Sequence, residues 1–319
     1  MAPRPVYFDC DTGIDDALAL VYLMASPEIS LAGIGTVSGN IDAKRAALNT
    51  LDLLDMGGRN DVPVAVGAMD PLTHSFGGGV PHIHGHNGVG DVELPHTDRR
   101  PVAESAADML VRLAHEHPGE LDVIAIGPLT NLAVALKQDP SIAELVHEVI
   151  IMGGAALVPG NLSEVGEANI YNDPEAAQVV MDAPWQVVLV PLDVTLENAF
   201  EESDREALAA SDSLLNQALA DILNLYFDFY VEEYGRRMCA LHDPLAAAIA
   251  VGQITAIRAP KVPVVVDATH GPGRGQTICD LRKQRGGPRD VEGAHVRVVL
   301  DTDQPLAPVL LERLLNYHS

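Results

Sequence analysis

Short apolar runs alternate along the chain with longer stretches in which apolar positions recur every three to four residues. The first pattern marks buried strands and the second amphipathic helices. "PVYF", "ISLAGIGTVSG", "VPVAVGA", "LDVIAIGP", "VHEVIIMGG" and "WQVVLVPLDVT" read as strands. Between them "DDALALVYLMA", "DAKRAALNTLDLLDM", "VAESAADMLVRLAHEH", "TNLAVALKQDP" and "DPEAAQVVMDA" read as helices. Gly57 and Gly58 close the second of these helices and Pro140 stops the fourth. This β-α-β-α rhythm predicts an α/β fold, an open, Rossmann-like, mostly parallel central sheet with helices on both faces. No fixed-period repeat and no Pro/Gly/Ser linker divides the sequence, so residues 1–319 are expected to form a single catalytic domain.

Three stretches break the rhythm. "THSFGGGVPHIHGHNGVGD" (residues 73–91) is rich in Gly and His and too irregular for a regular element, so it reads as a functional loop. "ADILNLYFDFYVEEYG" is a helix whose end is crowded with aromatic residues. "GPGRGQTICDLRKQRGGPRDVEGAHVRVVLDTD" reads as a small antiparallel ribbon ahead of a last helix, "LAPVLLERLLNY".

Composition narrows the partners. The 319 residues are 47% hydrophobic, enough for a sizeable core, and carry a formal charge of −25. That charge argues against nucleic acid, which is bound by neutralising phosphates with Lys and Arg, and against anionic membrane surfaces. No apolar run reaches the roughly 18 residues of a membrane span, and the N-terminus lacks the charged-then-apolar pattern of a secretion signal. Cys10, Cys239 and Cys279 are odd in number and include no CxxC, so neither a disulfide framework nor a zinc knuckle is indicated. A cytoplasmic location is the expectation.

Against this background the segment "VYFDCDTGIDDALALVYLMA" stands out. Asp9, Asp11, Asp15 and Asp16 crowd into eight positions between two apolar runs, and no Lys or Arg lies between Arg4 and Lys44. Like charges so close raise one another's pKa unless something positive sits among them. Helix capping accounts for Asp15 or Asp16 but not for Asp9 and Asp11 on the strand exit. A cation accounts for all of them, and oxygen ligands without Cys favour Ca²⁺ or Mg²⁺ over zinc. An EF-hand loop fits poorly, because its glycine is the sixth residue whereas Gly13 is fifth from Asp9.

Other strand ends supply amide and carboxylate groups: Asn40, Thr130, Asn131, Asn161, Glu167, Asn169, Asp173, His242 and Asp243. Each alone is an ordinary turn or cap residue. Together, and poor in Lys and Arg, they suit a neutral polyhydroxyl ligand beside a cation rather than a phosphate, which calls for Arg, Lys or a Gly-rich cradle.

"DCDTGIDDALAL" closely resembles the signature of the nucleoside hydrolases (inosine–uridine-preferring ribohydrolases), commonly Asp-x-Asp-Pro-Gly-x-Asp-Asp-Ala. "TVSGN", "HIHGHNGVGD", "GPLTNLA", "MGGA", "GNLSEVGEANIYNDPEAA", "HDPLA" and "GRGQTICD" match further segments of that family in its order, over nearly the whole chain. The resemblance implies Ca²⁺-dependent hydrolysis of the N-glycosidic bond of ribonucleosides to free base and ribose, for purine and pyrimidine salvage, by a homodimer or homotetramer. It implies that Asp11, Asp16, the Thr130 carbonyl and Asp243 ligate the ion, with Asp11 also the base that deprotonates water. Asp15, Asn40, Asn161, Glu167 and Asn169 would hold the ribose hydroxyls, Met152 would line the pocket, and Asp9 would support the ligands from behind. His242 would protonate the departing base, as a group that ordinarily titrates near neutrality. His84 would lie near the base, and His82 and His86 read as solvated. Tyr226, Tyr230 and Tyr234 recur every fourth residue, hence on one helix face; Tyr230 and Tyr234 would contact the base.

These roles agree with the chemistry, since breaking the ribose–base bond builds positive charge on the sugar, which Asp and Glu beside the ring stabilise. Thr12 stands where the family has Pro and is expected only to loosen the turn. Ala168 stands where many members carry Phe and leaves the substrate preference open. With Trp185 the chain's one Trp, and at a strand start, a tryptophan-stacking, purine-only enzyme is disfavoured. A haloacid-dehalogenase-type Mg²⁺ phosphatase also begins strand–Asp-x-Asp but wants Thr two places later, where Gly13 stands. A non-catalytic nucleoside-binding protein on the same fold is the other alternative.

Overall fold

The computed structural model describes residues 2–317. Strands β1 (Arg4–Cys10), β2 (Ile29–Thr36), β3 (Val64–Val66), β4 (Asp122–Ala125), β5 (Glu148–Met152) and β6 (Val187–Val190) lie parallel in the order β6-β5-β4-β1-β2-β3. Val296–Val298 adds in parallel beside β6, and Lys261–Val262 closes that edge antiparallel, making eight strands. Successive side chains of a strand point to opposite faces, and here the two sets enter different cores. Val6, Phe8, Ile124, Ile150, Val188 and Val190 face one core, and Tyr7, Val123, Ala125, Val149, Ile151 and Leu189 face the other.

Helix α1 (Ile14–Met24) follows β1 and is buried along its whole length, as expected of a helix apolar on every side. It lies between α2 (Ala43–Met56), the long helix Leu214–Tyr234, the helix His242–Ala250 and the last helix Leu306–Leu315. Ala17, Ala246, Ala247 and Ala248 are fully buried, and their small side chains bring α1 and the His242–Ala250 helix close together. Among the described residues no helix is long and apolar enough to cross a membrane.

Three sequence expectations change. "WQVVLVPLDVT" is a strand only to Val190, after which Leu192–Thr195 form a helical turn; Pro191 lacks the N–H that a ladder needs. The C-terminal stretch is split: Thr277–Cys279 pairs antiparallel with Val264–Val266, Asp301–Thr302 pairs antiparallel with Ala256–Arg258, and "VRV" joins the main sheet. Within residues 73–91, Pro81–His84 form one helical turn with Pro at its start.

Candidate active site

In an open parallel sheet, ligands bind beyond the carboxyl ends of the strands, and β1 there runs straight into α1 through Asp11, Thr12 and Gly13. Gly13 caps α1 but has no side chain to do so. Asp16 reaches back instead, accepting the Gly13 N–H at 2.8 Å and the Asp11 N–H at 3.1 Å, and His84 Nδ1 accepts the Ile14 N–H at 3.0 Å. A Cβ on Gly13 would lie 2.5 Å from that Nδ1, so glycine here allows the close approach. Asn40 joins the group through its N–H to Asp11 Oδ2 at 2.6 Å and its amide to Asp16 Oδ2 at 3.1 Å. From the facing helix, Asp243 brings a carboxylate oxygen within 4.8 Å of one from Asp15 and one from Asp16.

The electrostatics of this cluster are lopsided. Asp11, Asp15, Asp16 and Asp243 are all buried, and none of the ion pairs or hydrogen bonds of the described residues brings them a Lys or Arg. Burial first, then neighbouring carboxylates, holds Asp11 and Asp243 well above the usual range and pushes Asp15 up to about 7. Burying an unpaired ion costs several kcal/mol even after relaxation, so the cluster cannot serve stability. The Oδ1 atoms of Asp11 and Asp15 are buried and meet no donor. Asp11 is boxed between glycines: a Cβ at Gly39 would collide with its Oδ2, and one at Gly127 would sit 2.9 Å from its Oδ1. Hard, anionic, unpartnered oxygens in a positively starved pocket are the donor set that a divalent cation takes.

Behind the cluster lies a hydrogen-bonded brace. Asp9 accepts from the Tyr7 hydroxyl at 2.6 Å and from the Asn131 amide at 3.0 and 3.2 Å. Asn131 also donates to the Thr36 carbonyl at 3.0 Å and accepts the Ala68 N–H at 2.8 Å. Asn131→Ala is therefore expected to lower unfolding stability by about 2–4 kcal/mol, because it strands buried partners on three segments; urea denaturation checks it. Thr130 opens the helix Thr130–Gln138, its hydroxyl donating to Asp173 Oδ2 at 2.7 Å. Asp173 also holds the Leu72 N–H and caps the helix Pro174–Asp182.

The segment after β5 is tied down in the same manner. Glu167 accepts the N–H groups of Gly154, Asn169 and Ile170 at 2.8–3.1 Å; burial still pushes its carboxyl up against those three bonds. The Asn169 amide donates to the Ile126 and Met152 carbonyls and to Met152 Sδ, so Met152, Asn169 and Glu167 meet at the ends of β4 and β5. Asn161 is exposed and spends its side-chain oxygen on the Ala168 N–H, shaping the loop rather than joining the buried cluster.

Aromatic and imidazole groups close the other side. Tyr226 donates to Asp15 Oδ2 at 3.3 Å and lies 5.5 Å from the His84 ring. Tyr230 meets His242 Nε2 at 3.0 Å, while His242 Nδ1 meets the Thr195 hydroxyl at 2.7 Å. Tyr234 stacks on Tyr230 at 5.4 Å but is 58% exposed, at the rim. His82 and His86 are exposed. Burial drives His84 down to about 3 and His242 down to about 4. His242 thus departs from the near-neutral titration expected of it: it is a neutral ring whose polar neighbours are two hydroxyls.

Two residues carry more than sequence reasoning assigned them. Thr12 does not loosen its turn; its hydroxyl meets Thr50 on α2 at 2.7 Å and Cys10 Sγ at 3.3 Å, stitching the loop to the core. Thr195 was absent from the expected site, since nothing local marks a Thr in a short turn as the partner of a distant His.

A sequence profile described as "Inosine-uridine preferring nucleoside hydrolase" matches residues 6–307. The chain belongs to that family. It is a nucleoside hydrolase, an enzyme of the class that hydrolyses N-glycosyl bonds. Among similar proteins, a probable uridine nucleosidase 2 of Arabidopsis thaliana is 33% identical over 317 residues, 98% of each chain. An inosine-uridine preferring nucleoside hydrolase of Crithidia fasciculata is 32% identical over 303 residues, 94% of each. The solved structure of a plant nucleoside hydrolase superposes with a TM-score of 0.91 at 34% identity, covering 98% of this chain and 99% of that one. That solved structure shares the α/β architecture described above.

Proposed function

We propose that this nucleoside hydrolase is Ca²⁺-dependent and cleaves ribonucleosides to free base and ribose in cytoplasmic salvage, working as a homodimer or homotetramer. The observation that carries the reading is the buried, positively unpaired carboxylate cluster at the sheet's carboxyl edge, with Asp11 Oδ1 and Asp15 Oδ1 unpartnered. Asp11, Asp16, the Thr130 carbonyl and Asp243 would hold the ion. When bound, Ca²⁺ would position a water and lower its pKa modestly.

The remaining work falls to the chain's own groups. Asp11 takes a proton from the attacking water as the new C–O bond forms at the anomeric carbon and the C–N bond breaks. Positive charge developing on the sugar is met by the anionic cluster, in a site with no competing cation side chain among the described residues. Asp15, Asn40 and Asn169 offer the acceptors and donors for the ribose hydroxyls, with Glu167 and Asn161 shaping that wall through the backbone they bind. The departing base takes a hydrogen bond from the Tyr230 hydroxyl, which His242 backs at 3.0 Å, while His84, with Nδ1 occupied by Ile14, presents its Nε2–H.

Ribose release measured as reducing sugar across inosine, uridine, cytidine and adenosine tests this reading. Turnover of at least one is expected. Phosphate release from nucleotides without ribose would favour the phosphatase alternative, and tight binding of inosine without turnover at any pH the non-catalytic one. His242→Ala is expected to slow inosine about 10²-fold or more, the scale of one acid-side contribution, and p-nitrophenyl riboside far less, because that leaving group departs unaided. Equal losses on both would remove His242 from leaving-group chemistry.

A further inference from the structure

Asn49 sits in the middle of α2, where a short amide is a poor helix former, and it is buried at 1% exposure. Its amide nitrogen donates to the Asn87 carbonyl at 2.8 Å and, more weakly, to the Thr12 carbonyl at 3.4 Å. Turning the amide over would aim its oxygen at both carbonyl oxygens, so the orientation is fixed. As it stands, Oδ1 is buried and meets no donor. A buried polar side chain with one end unmet is costly, and packing alone gives no reason to prefer it to a leucine.

The two carbonyls belong to different pieces of the site. Thr12 lies in the turn that carries Asp11. Asn87 lies in residues 84–92, which fold on themselves: Asn87 Oδ1 accepts the Val89 and Asp91 N–H groups, its amide donates to the Val92 carbonyl, and the Gly90 N–H donates to the His84 carbonyl. Apart from the Pro81–His84 turn before it, this segment's hydrogen bonds to the rest of the described chain go to Ile14, Arg45 and Asn49. Arg45 is half-buried and its bond, also to the Asn87 carbonyl, is longer at 3.3 Å. A Cβ on Gly88 would lie 3.0 Å from the Asn49 amide nitrogen and 3.2 Å from the Thr12 carbonyl oxygen, so the loop rests directly on the turn.

We propose that Asn49 is a positioning residue for His84: the two hydrogens of one buried amide fasten the loop that carries His84 to the turn that carries Asp11, so that the imidazole and the carboxylates keep one spacing. The turn has further bonds, to Asp16 and Thr50, so removing the clamp frees the loop rather than the acids. The clamp stands on the buried contacts alone; its consequence for the base rests on the proposed nucleoside cleavage.

Asn49→Leu removes both donors at similar volume. The kcat/KM ratio of inosine over p-nitrophenyl riboside, which offers the site no base nitrogen, is expected to fall about tenfold or more, within the roughly 10²-fold that a 1 Å misplacement can cost. In a His84→Ala background the same substitution should leave the ratio where His84→Ala alone puts it, because residues that act through one contact do not add. Losses that multiply across the two backgrounds, or that are equal on both substrates, overturn the proposal. Hydrogen exchange of the full-length protein should quicken in residues 84–92 of Asn49→Leu while α2 and β1 keep their wild-type protection; acceleration spread evenly over all three overturns it as well. Gly88→Ala presses on the same amide from the loop side, so it should lower the ratio even where Asn49→Leu does not fold, and a wild-type ratio in Gly88→Ala counts against the clamp. Failure of the wild-type protein to release ribose from any nucleoside would instead sink the proposed function and leave the exchange measurement to decide the clamp.

Discussion

Asp11→Ala is expected to slow nucleoside hydrolysis by about 10³-fold or more while leaving the protein folded. General-base action contributes about 10²–10⁴-fold, and this residue would also lose its place among the cation's ligands. The fold should tolerate the change for a reason visible in the site. Asp11 is a buried carboxylate held well above its usual range by burial and by Asp16, and its Oδ1 satisfies no donor. Removing it relieves like-charge crowding, at the cost of one acceptor for the Asn40 N–H. Melting in the presence of a chelator should therefore fall little or rise. A variant with near-wild-type ribose release would remove Asp11 as the base. One that is inactive because it unfolds would contradict the claim that the cluster is kept for chemistry.

The sheet and its carboxylate edge were legible because each rests on a local signal. Short apolar runs marked β1 to β6, and four acids inside an apolar context had no structural use that short-range rules could supply. What was not legible depends on distant pairings. His242 is 12 residues from Tyr230 and 47 from Thr195, so its neutral, two-hydroxyl setting is a product of tertiary packing. Val296–Val298 is only three residues long, and short apolar segments do not reveal which sheet they join. Glu167, read as a ligand-facing acid, is held by three backbone N–H groups. Those contacts are invisible until the β5 turn is seen folding back over it. Thr12 teaches the same point: judged as a missing proline it is a loss, yet against Thr50 it is a tether.

Chelation is expected to abolish ribose release and Ca²⁺ to restore it, with a change in thermal stability whose sign follows from the same cluster. Without a cation the site holds Asp11, Asp15, Asp16 and Asp243 together with no Lys or Arg beside them among the described residues, an arrangement that costs several kcal/mol per buried ion unless protons or a cation relieve it. A ligand that binds only the folded state adds RT ln(1 + [L]/Kd), about 2.7 kcal/mol at a hundredfold excess over Kd. Melting temperature should thus rise with added Ca²⁺ and fall on chelation, in step with activity. Asp243→Asn should uncouple the two readings: one charge fewer lightens the crowding in the chelated protein, so that protein should melt at or above wild type, yet the Ca²⁺-induced rise should shrink. Mg²⁺ tests the oxygen cage separately, because its smaller radius demands near-ideal octahedral geometry that a cluster built on two helices and a strand exit has no evident means to supply. If chelated protein turned over inosine at the full rate, or if Ca²⁺ left the melting temperature untouched, the acids would need a different occupant and Asp11 a different task.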